Sequence, residues 1–219
     1  METELKLSFS AVEDIDRLWS DTVFASYKLP DSGKEIDFET TYYDTTDFIL
    51  RRKMASLRIR KILDADFIHT VKIRVEEKDG LHQRYEWNLE TDSETFDIDF
   101  FIDHAISDGD PHDLLKEILA DIRDRDLNQL FVTTFHRKSF MVGYGDSLIE
   151  VANDNGNISI DSRAENFCEI ELELKEGSVR DVIALGDEIL AHTNASLYNH
   201  SKYQRGMSLL KEIQTEDEL

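Results

Sequence analysis

Apolar and polar residues alternate along much of this chain, and the pattern starts at its first residues. Leu5, Leu7 and Phe9 alternate with Glu4, Lys6 and Ser8, the two-residue period of a strand buried on one face. Further on, Leu57 and Ile59 oppose Arg58 and Arg60, and Val71, Ile73 and Val75 oppose Lys72, Arg74 and Glu76. After a turn at Lys78-Asp79-Gly80, Tyr85, Trp87 and Leu89 oppose Arg84, Glu86 and Asn88. Ile170, Leu172 and Leu174 oppose Glu169, Glu171 and Glu173. In each segment the polar face carries fixed charge. Weaker alternation predicts strands over residues 35–44, 129–142 and 147–154. Asn155-Gly156 reads as a hairpin turn leading to a return strand at Ile158-Ser159-Ile160.

Helical spacing separates these strands. Ser10 and Glu13 form a capping-box pattern ahead of one helix over 11–25, whose apolar face is Val12, Ile15, Leu18, Trp19 and Val23. Leu29-Pro30-Asp31-Ser32-Gly33 is turn chemistry, and 45–54 reads as a turn and short connection. Asp110-Pro111 opens a helix with Leu114, Leu115, Ile118, Leu119 and Ile122 at helical spacing. Ser178 to Asp181 starts another through 192, with Val182, Leu185, Ile189 and Leu190 apolar. A short helical stretch begins at 201–206, with a frayed tail from 214. The expected fold is α+β. About eight antiparallel strands close into a β-barrel, a single domain over 1–219, with helices packed outside on the apolar faces and the charged faces lining a lumen.

Charge narrows the functional classes. Lys and Arg number 25 against 47 Asp and Glu, a net charge of −22. That excludes a general nucleic-acid-coating role and docking on anionic membranes. Ten of the 25 bases fall between Arg51 and Arg84, whereas residues 91–126 hold twelve acids and three bases. A basic middle in an acidic chain points to a local anion site. No apolar run approaches a membrane span, and no secretory signal is visible. The lone cysteine, Cys168, fits a reducing compartment, so the cytoplasm is the expected location. By alternation its thiol faces the apolar side as a packing group, and no histidine has metal-site spacing. Monomer and homodimer are equally compatible with the sequence.

Carboxylates two apart, as in Glu2 and Glu4, repel unless a cation is near, and either a hard divalent metal or a basic neighbouring strand satisfies them. The same choice holds for Glu169, Glu171 and Glu173: a cross-strand ion-pair ladder or a metal site. Arg and Lys on adjacent strands suit phosphoryl oxygens. Glu2-x-Glu4-x-Lys6 resembles the E-x-E-x-K signature of the CYTH superfamily, the triphosphate tunnel metalloenzymes. The likeness continues in order through Leu57-Arg58-Ile59-Arg60, Val71-Lys72-Ile73-Arg74, Arg84-Tyr85-Glu86, residues 150–156, Glu169-Ile170-Glu171-Leu172-Glu173 and Ser201-Lys202-Tyr203-Gln204-Arg205-Gly206. Asn153 departs from it, standing where an apolar residue is usual.

The resemblance implies an eight-stranded tunnel that hydrolyses inorganic triphosphate with Mg2+ or Mn2+. It assigns Glu2, Glu4, Glu169 and Glu171 to the metal, with Glu173 and Asp154 as helpers. Lys6, Arg58, Arg60, Lys72, Arg74, Arg84, Arg137 and Lys202 fall to the phosphoryl groups. Glu86 orients the bases, and Glu4, Lys6, Lys72 and Arg74 form the catalytic set. The partner implied is a small-molecule triphosphate, with no nucleic acid and no membrane. Processing of a nucleoside or thiamine triphosphate, including adenylate cyclase chemistry, is the alternative within the family. A non-catalytic polyphosphate-binding module is the other, and it would not need both acidic strands. Some relatives carry a second, helical, histidine-rich phosphate-binding domain, which is not expected here.

Overall fold

The N-terminal strand β1 (Glu2–Ser8) closes the sheet. The computed structural model describes residues 1–62, 66–105 and 111–217. In it, β5 (Leu81–Thr91), β4 (Phe67–Lys78), β3 (Ala55–Ile62), β2 (Lys34–Thr45), β6 (Leu127–Tyr144), β7 (Ser147–Ile160) and β8 (Arg163–Glu176) follow one another as antiparallel neighbours. β1 then joins the two ends, pairing Glu4 with Glu173 on β8 and Glu2 with Arg84 on β5. The result is the closed eight-stranded antiparallel barrel that the alternation implied. A two-residue strand, β9 (Ser196–Leu197), pairs with Leu7 and Ser8 of β1, beyond the point where β5 leaves it at Leu5. Closure removes the unpaired edges of an open sheet.

Two apolar clusters lie outside the wall. α1 (Val12–Ser20), α2 (Thr22–Tyr27) and α6 (Val179–His192) cover Leu5, Leu7, Ile149, Val151, Ile170 and Leu172. α3 (Ile49–Arg52), α4 (Ile98–His104) and α5 (His112–Ala120) cover Leu57, Val71, Ile73 and Trp87. The third cluster lies on the inward face. Phe38, Tyr42, Phe131, Phe135, Ile158 and Phe167 pack with Met207 and Leu209 of α7 (Lys202–Asp217), which lies across one end of the barrel. The inward face is therefore charged over one stretch and apolar over the other. The long strands β2, β6, β7 and β8 run on past the charged region, and their inward residues there need burial.

Several local expectations change. The 11–25 helix is two helices: Asp21 is extended, at φ −62° and ψ 137°, and its carboxylate accepts from Val23 N. The Ser10 capping box does not form, because Ala11 holds the N-cap without a side-chain bond. Residues 45–54 include α3, whose N–H groups at Leu50 and Arg51 donate to the buried Asp44 carboxylate. Asp110 lies outside the described residues, and α5 begins after Pro111. Asn155-Gly156 is not a turn. β7 passes straight through, pairing Gly156 with Phe135 and with Phe167. A Cβ at Gly156 would come 2.1 Å from the Thr134 carbonyl oxygen, so this glycine serves close strand approach. α7 also continues past 206 as a 16-residue helix to Asp217.

Candidate functional site

A cavity of about 710 Å³ occupies the charged stretch of the tunnel. Strand alternation alone delivers most of its wall: Glu2, Glu4 and Lys6 from β1, Arg58 and Arg60 from β3, Lys72 and Arg74 from β4, Arg84 and Glu86 from β5. Arg137 enters from β6, Glu171 and Glu173 from β8, and Lys202 from the start of α7. Asp154 and Glu169 do not reach the cavity surface. They lie behind it, 0% and 1% exposed.

Antiparallel register explains which charges meet. Lys6 stands opposite Glu171 and two residues from Ser8, which stands opposite Glu169. Lys6 Nζ donates to Glu169 at 3.0 Å and also to Glu171. Arg137 stands opposite Asp154 and grips it through two bonds of 2.6 Å, then reaches Glu171 at 2.5 Å. Lys202 Nζ donates to Asp154 at 2.6 Å, Glu169 at 2.5 Å and Glu171 at 3.0 Å. Three carboxylates and three cations thus form one buried knot. Burial alone lowers the pKa of Lys6, but Glu169, Glu171 and Glu4 more than offset it and hold it above its ordinary value. Against the same burial, Lys202, Lys6 and Arg137 hold Glu171 well below the usual carboxylate range.

The other wall is paired more loosely. Lys72 Nζ lies 2.8 Å from Glu2 and 2.8 Å from Glu86, and Arg58 is 3.7 Å from Glu86. Burial, with Glu4 and Glu86 nearby, pushes Glu2 up to about 7. Arg84 is 3.0 Å from Glu4 and 3.2 Å from Glu77. Arg60 has no carboxylate partner among the described residues. Its Nε donates to Thr40 at 3.1 Å, and its guanidinium lies 4.3 Å from the Phe38 ring centre. Burial between Arg58 and Arg137 lowers it to about 9, still cationic at neutral pH. The buried Nε of Arg58 also lacks an acceptor among the described residues. Unpaired buried cations are costly, and an anion in the cavity relieves that cost.

Carboxylates converge where β1 meets β8. Glu4 stands directly opposite Glu173, and Glu173 opposite Glu150. Like charges in register are unfavourable without a cation between them. Lys175 bonds Glu150 and Glu173 at 2.8 Å each, yet burial with Glu150 and Glu4 still raises the Glu173 pKa. Ligand-capable oxygens of Asp154, Glu169 and Glu171 also lie within 4.8 Å of one another, and Glu169 Oε2 is buried without a hydrogen bond among the described residues. The donors are all carboxylate oxygen, which suits a hard divalent ion.

Two side chains that sequence spacing did not single out hold Arg74 and Arg84. A register shift between Arg74 and Glu76 puts Glu77, not Glu76, on the inward side. Glu77 takes Arg74 at 3.0 Å, Arg84 at 3.2 Å and Gln204 at 2.7 Å. His82, 1% exposed, accepts from Arg84 at Nδ1 over 2.7 Å and meets the Tyr198 carbonyl at Nε2 over 3.2 Å. The β-bulge hides Glu77 from an alternation rule. His82 was legible only as the residue two before Arg84 on the same face. Cys168 packs against the outer cluster, where burial pushes its thiol up to about 11.

The pattern of the CYTH domain matches residues 1–207. An inorganic triphosphatase from Haemophilus influenzae is 30% identical over 172 residues, which are 77% of this chain and 45% of that protein. The chain thus spans about half the length of that relative. Among solved structures, a Hippeastrum protein described as an adenylyl cyclase candidate with a dominant triphosphatase activity superposes at a TM-score of 0.65. It is 17% identical, with 95% of this chain and 96% of that one covered. A Bacillus halodurans protein described as an adenylate cyclase candidate superposes at 0.54 with 21% identity, over 94% and 98% of the two chains. At those identities the structures share the fold. No helix among the described residues is long and apolar enough to cross a membrane. With the domain pattern covering all but the C-terminal end, this chain belongs to the CYTH domain family.

Proposed function

We propose that the tunnel hydrolyses inorganic triphosphate to pyrophosphate and phosphate with a divalent metal, Mg2+ or Mn2+. The observation that carries this reading is the pair Arg58 and Arg60, under-partnered cations facing a carboxylate cluster across one cavity. The similarity to a protein named inorganic triphosphatase supports it.

Arg58, Arg60, Lys72 and Arg84 grip the non-reacting phosphoryl groups, so that binding energy fixes the orientation of the chain being cut. Arg74, at the rim, guides the anion inward. Lys6, Lys202 and Arg137 are held rigid by Asp154 and Glu169 and present fixed positive charge from the knot. Glu2, Glu4, Glu171 and Glu173 line the cavity and are the residues to hold the metal. Asp154 and Glu169 act from behind it. When bound there, a divalent ion spreads developing charge on phosphoryl oxygens and lowers the pKa of its water. The aromatic stretch under Arg60 keeps bulk water from the inner end of the cavity.

The test is a panel of bare triphosphate, ATP and thiamine triphosphate with Mg2+ or Mn2+, measuring phosphate, pyrophosphate and cyclic AMP. Phosphate release from bare triphosphate far above the others is expected. Cyclic AMP with pyrophosphate replaces this reading by a cyclase, and binding without turnover by a polyphosphate sensor. Glu4→Gln is expected to lower turnover at least ~100-fold while circular dichroism is unchanged. Unimpaired turnover removes Glu4 from the metal site.

A further inference from the structure

α7 begins at the tunnel wall, and its first residue, Lys202, enters the buried carboxylate knot. A cation in the first turn opposes the helix dipole, so the start of this helix has to be fixed by other bonds. Ser201 and Gln204 supply them as a reciprocal capping box. Gln204 Oε1 accepts from Ser201 N at 2.7 Å, and Ser201 Oγ accepts from Gln204 N at 3.3 Å. The Ser201 carbonyl accepts from Arg205 N at 3.0 Å, the first bond of the helix.

The other end of the same amide leaves the helix. Gln204 Nε2 donates to Glu77 Oε2 at 2.7 Å. Turning the amide round would set its NH2 against the Ser201 N–H and its oxygen against a carboxylate, so one side chain is committed at both ends. Glu77, whose side chain is 12% exposed, accepts from Arg74 at 3.0 Å on the same oxygen and from Arg84 at 3.2 Å on the other. Those two guanidiniums sit on long, rotatable stems, whereas the Gln204 donor is anchored to a helix start. Arg84 reaches on to Glu4 at 3.0 Å. The chain just before α7 is tied to the same β4–β5 hairpin: Asn199 Oδ1 accepts from Gly80 N at 2.6 Å, and the Tyr198 carbonyl meets His82 Nε2 at 3.2 Å.

We propose that Gln204 is a positioning residue for the phosphate chain: it holds the Glu77 carboxylate where that group keeps Arg74 and Arg84 aimed into the tunnel, and so sets the arginines of the β4–β5 hairpin relative to Lys202 on α7. The inference rests on the reading of the tunnel as a triphosphate site. Both ends of the Gln204 amide are engaged by the protein, so it acts through Glu77.

Gln204→Glu separates the two bonds. Glutamate keeps the capping box and suits the helix dipole, but it sets a second carboxylate against Glu77. Combining it with Glu77→Gln restores a donor and an acceptor in reversed order. Affinity for inorganic triphosphate is measured by calorimetry without metal, and KM and kcat with Mg2+, for the wild type, both single variants and the double. Gln204→Glu is expected to weaken binding and raise KM at least ~10-fold, with a smaller change in kcat and little change in the melting midpoint. Added to Glu77→Gln, the same substitution should cost no more than ~3-fold. Equal losses in the two backgrounds overturn the proposal, because the added negative charge, a direct contact with phosphate or a role in the fold alone would each act without regard to Glu77. Unchanged affinity in Gln204→Glu overturns it as well. If Gln204→Glu does not fold, Gln204→Met in the same two backgrounds decides, with a ~3–10-fold loss expected only where Glu77 is present. Triphosphate bound with this pattern but never cleaved would end the hydrolase reading and leave the role of Gln204 standing, whereas absence of binding ends both.

Discussion

Arg84 Nη2 donates to His82 Nδ1 at 2.7 Å, so the His82 proton belongs on Nε2, facing the Tyr198 carbonyl at 3.2 Å. That contact fixes the angle of a guanidinium that also serves Glu4 and Glu77. His82→Ala is expected to raise KM for triphosphate ~3–10-fold with a smaller change in kcat, and His82→Gln, which can accept and donate at similar reach, to recover part of it. An equal loss in both variants, tracking a fall in the melting midpoint, would mean His82 only supports the fold. Glu77 makes a different prediction. Against burial, the bonds from Arg74 and Gln204 and the charge of Arg84 bring its pKa down from 4.5 to about 2. Its folded pKa lies below its unfolded one, so its stabilisation is complete above about pH 4.5 and is lost as pH falls through about 2. The wild type should exceed Glu77→Gln by up to roughly 3 kcal/mol in urea unfolding at pH 6, with the gap narrowing steadily below pH 4.5. A gap independent of pH would remove the carboxylate charge as its cause. The charged rows of the tunnel could be read from alternation because each side chain there obeys the strand period. Glu77 follows a bulge, and His82 acts through another residue, so neither leaves a spacing signal.

At the level of elements, the strands that were plain in the sequence are those with one charged and one apolar face: β1, β3, β4, β5 and β8. Read locally, Asn155-Gly156 is a strong turn signal and ends a strand there, whereas β7 runs through it to Ile160. Tertiary approach of β6 is what selects glycine there. Likewise the break at Asp21 and the full length of α7 depend on what these helices meet, namely the outer wall and the apolar end of the barrel. Two glycines separate the local from the tertiary reason. At Gly156 an added Cβ meets backbone, 2.1 Å from Thr134 O and 2.5 Å from Phe135 Cα. Neither atom can swing away without parting the strands. At Gly186, inside α6, the nearest atom is the Leu5 Cδ2, also at 2.1 Å, but it is the end of a side chain that can rotate. Gly156→Ala is expected to cost on the order of 3 kcal/mol. For Gly186→Ala, about 1 kcal/mol of helix propensity offsets much of the repacking, leaving a net change within ~1 kcal/mol. Chemical denaturation of the two variants checks this. Similar losses in both would mean that the β6–β7 approach is no more rigid than the contact between α6 and β1.

Across the whole molecule, the fold sorts charge by depth. The tunnel gathers Lys6, Arg58, Arg60, Lys72, Arg84, Arg137 and Lys202 and pairs most of them with buried carboxylates. The net charge of −22 is therefore carried mainly by the exterior. The two populations respond differently to salt. Exterior charges repel across water, where the screening length falls from about 30 Å at 0.01 M to about 10 Å at 0.1 M salt. The tunnel pairs are enclosed and close, and are screened far less. Adding NaCl over that range should thus relieve self-repulsion of the compact state more than it weakens the internal pairs, raising the melting midpoint by a few degrees, ~2–5 °C. Tunnel variants such as Arg60→Met should keep the same salt slope, since the effect arises outside. A midpoint that falls with salt would mean that surface ion pairs such as Lys53 with Asp121 and Arg123 with Asp99 dominate the exterior, and the depth-sorted picture of charge would fail.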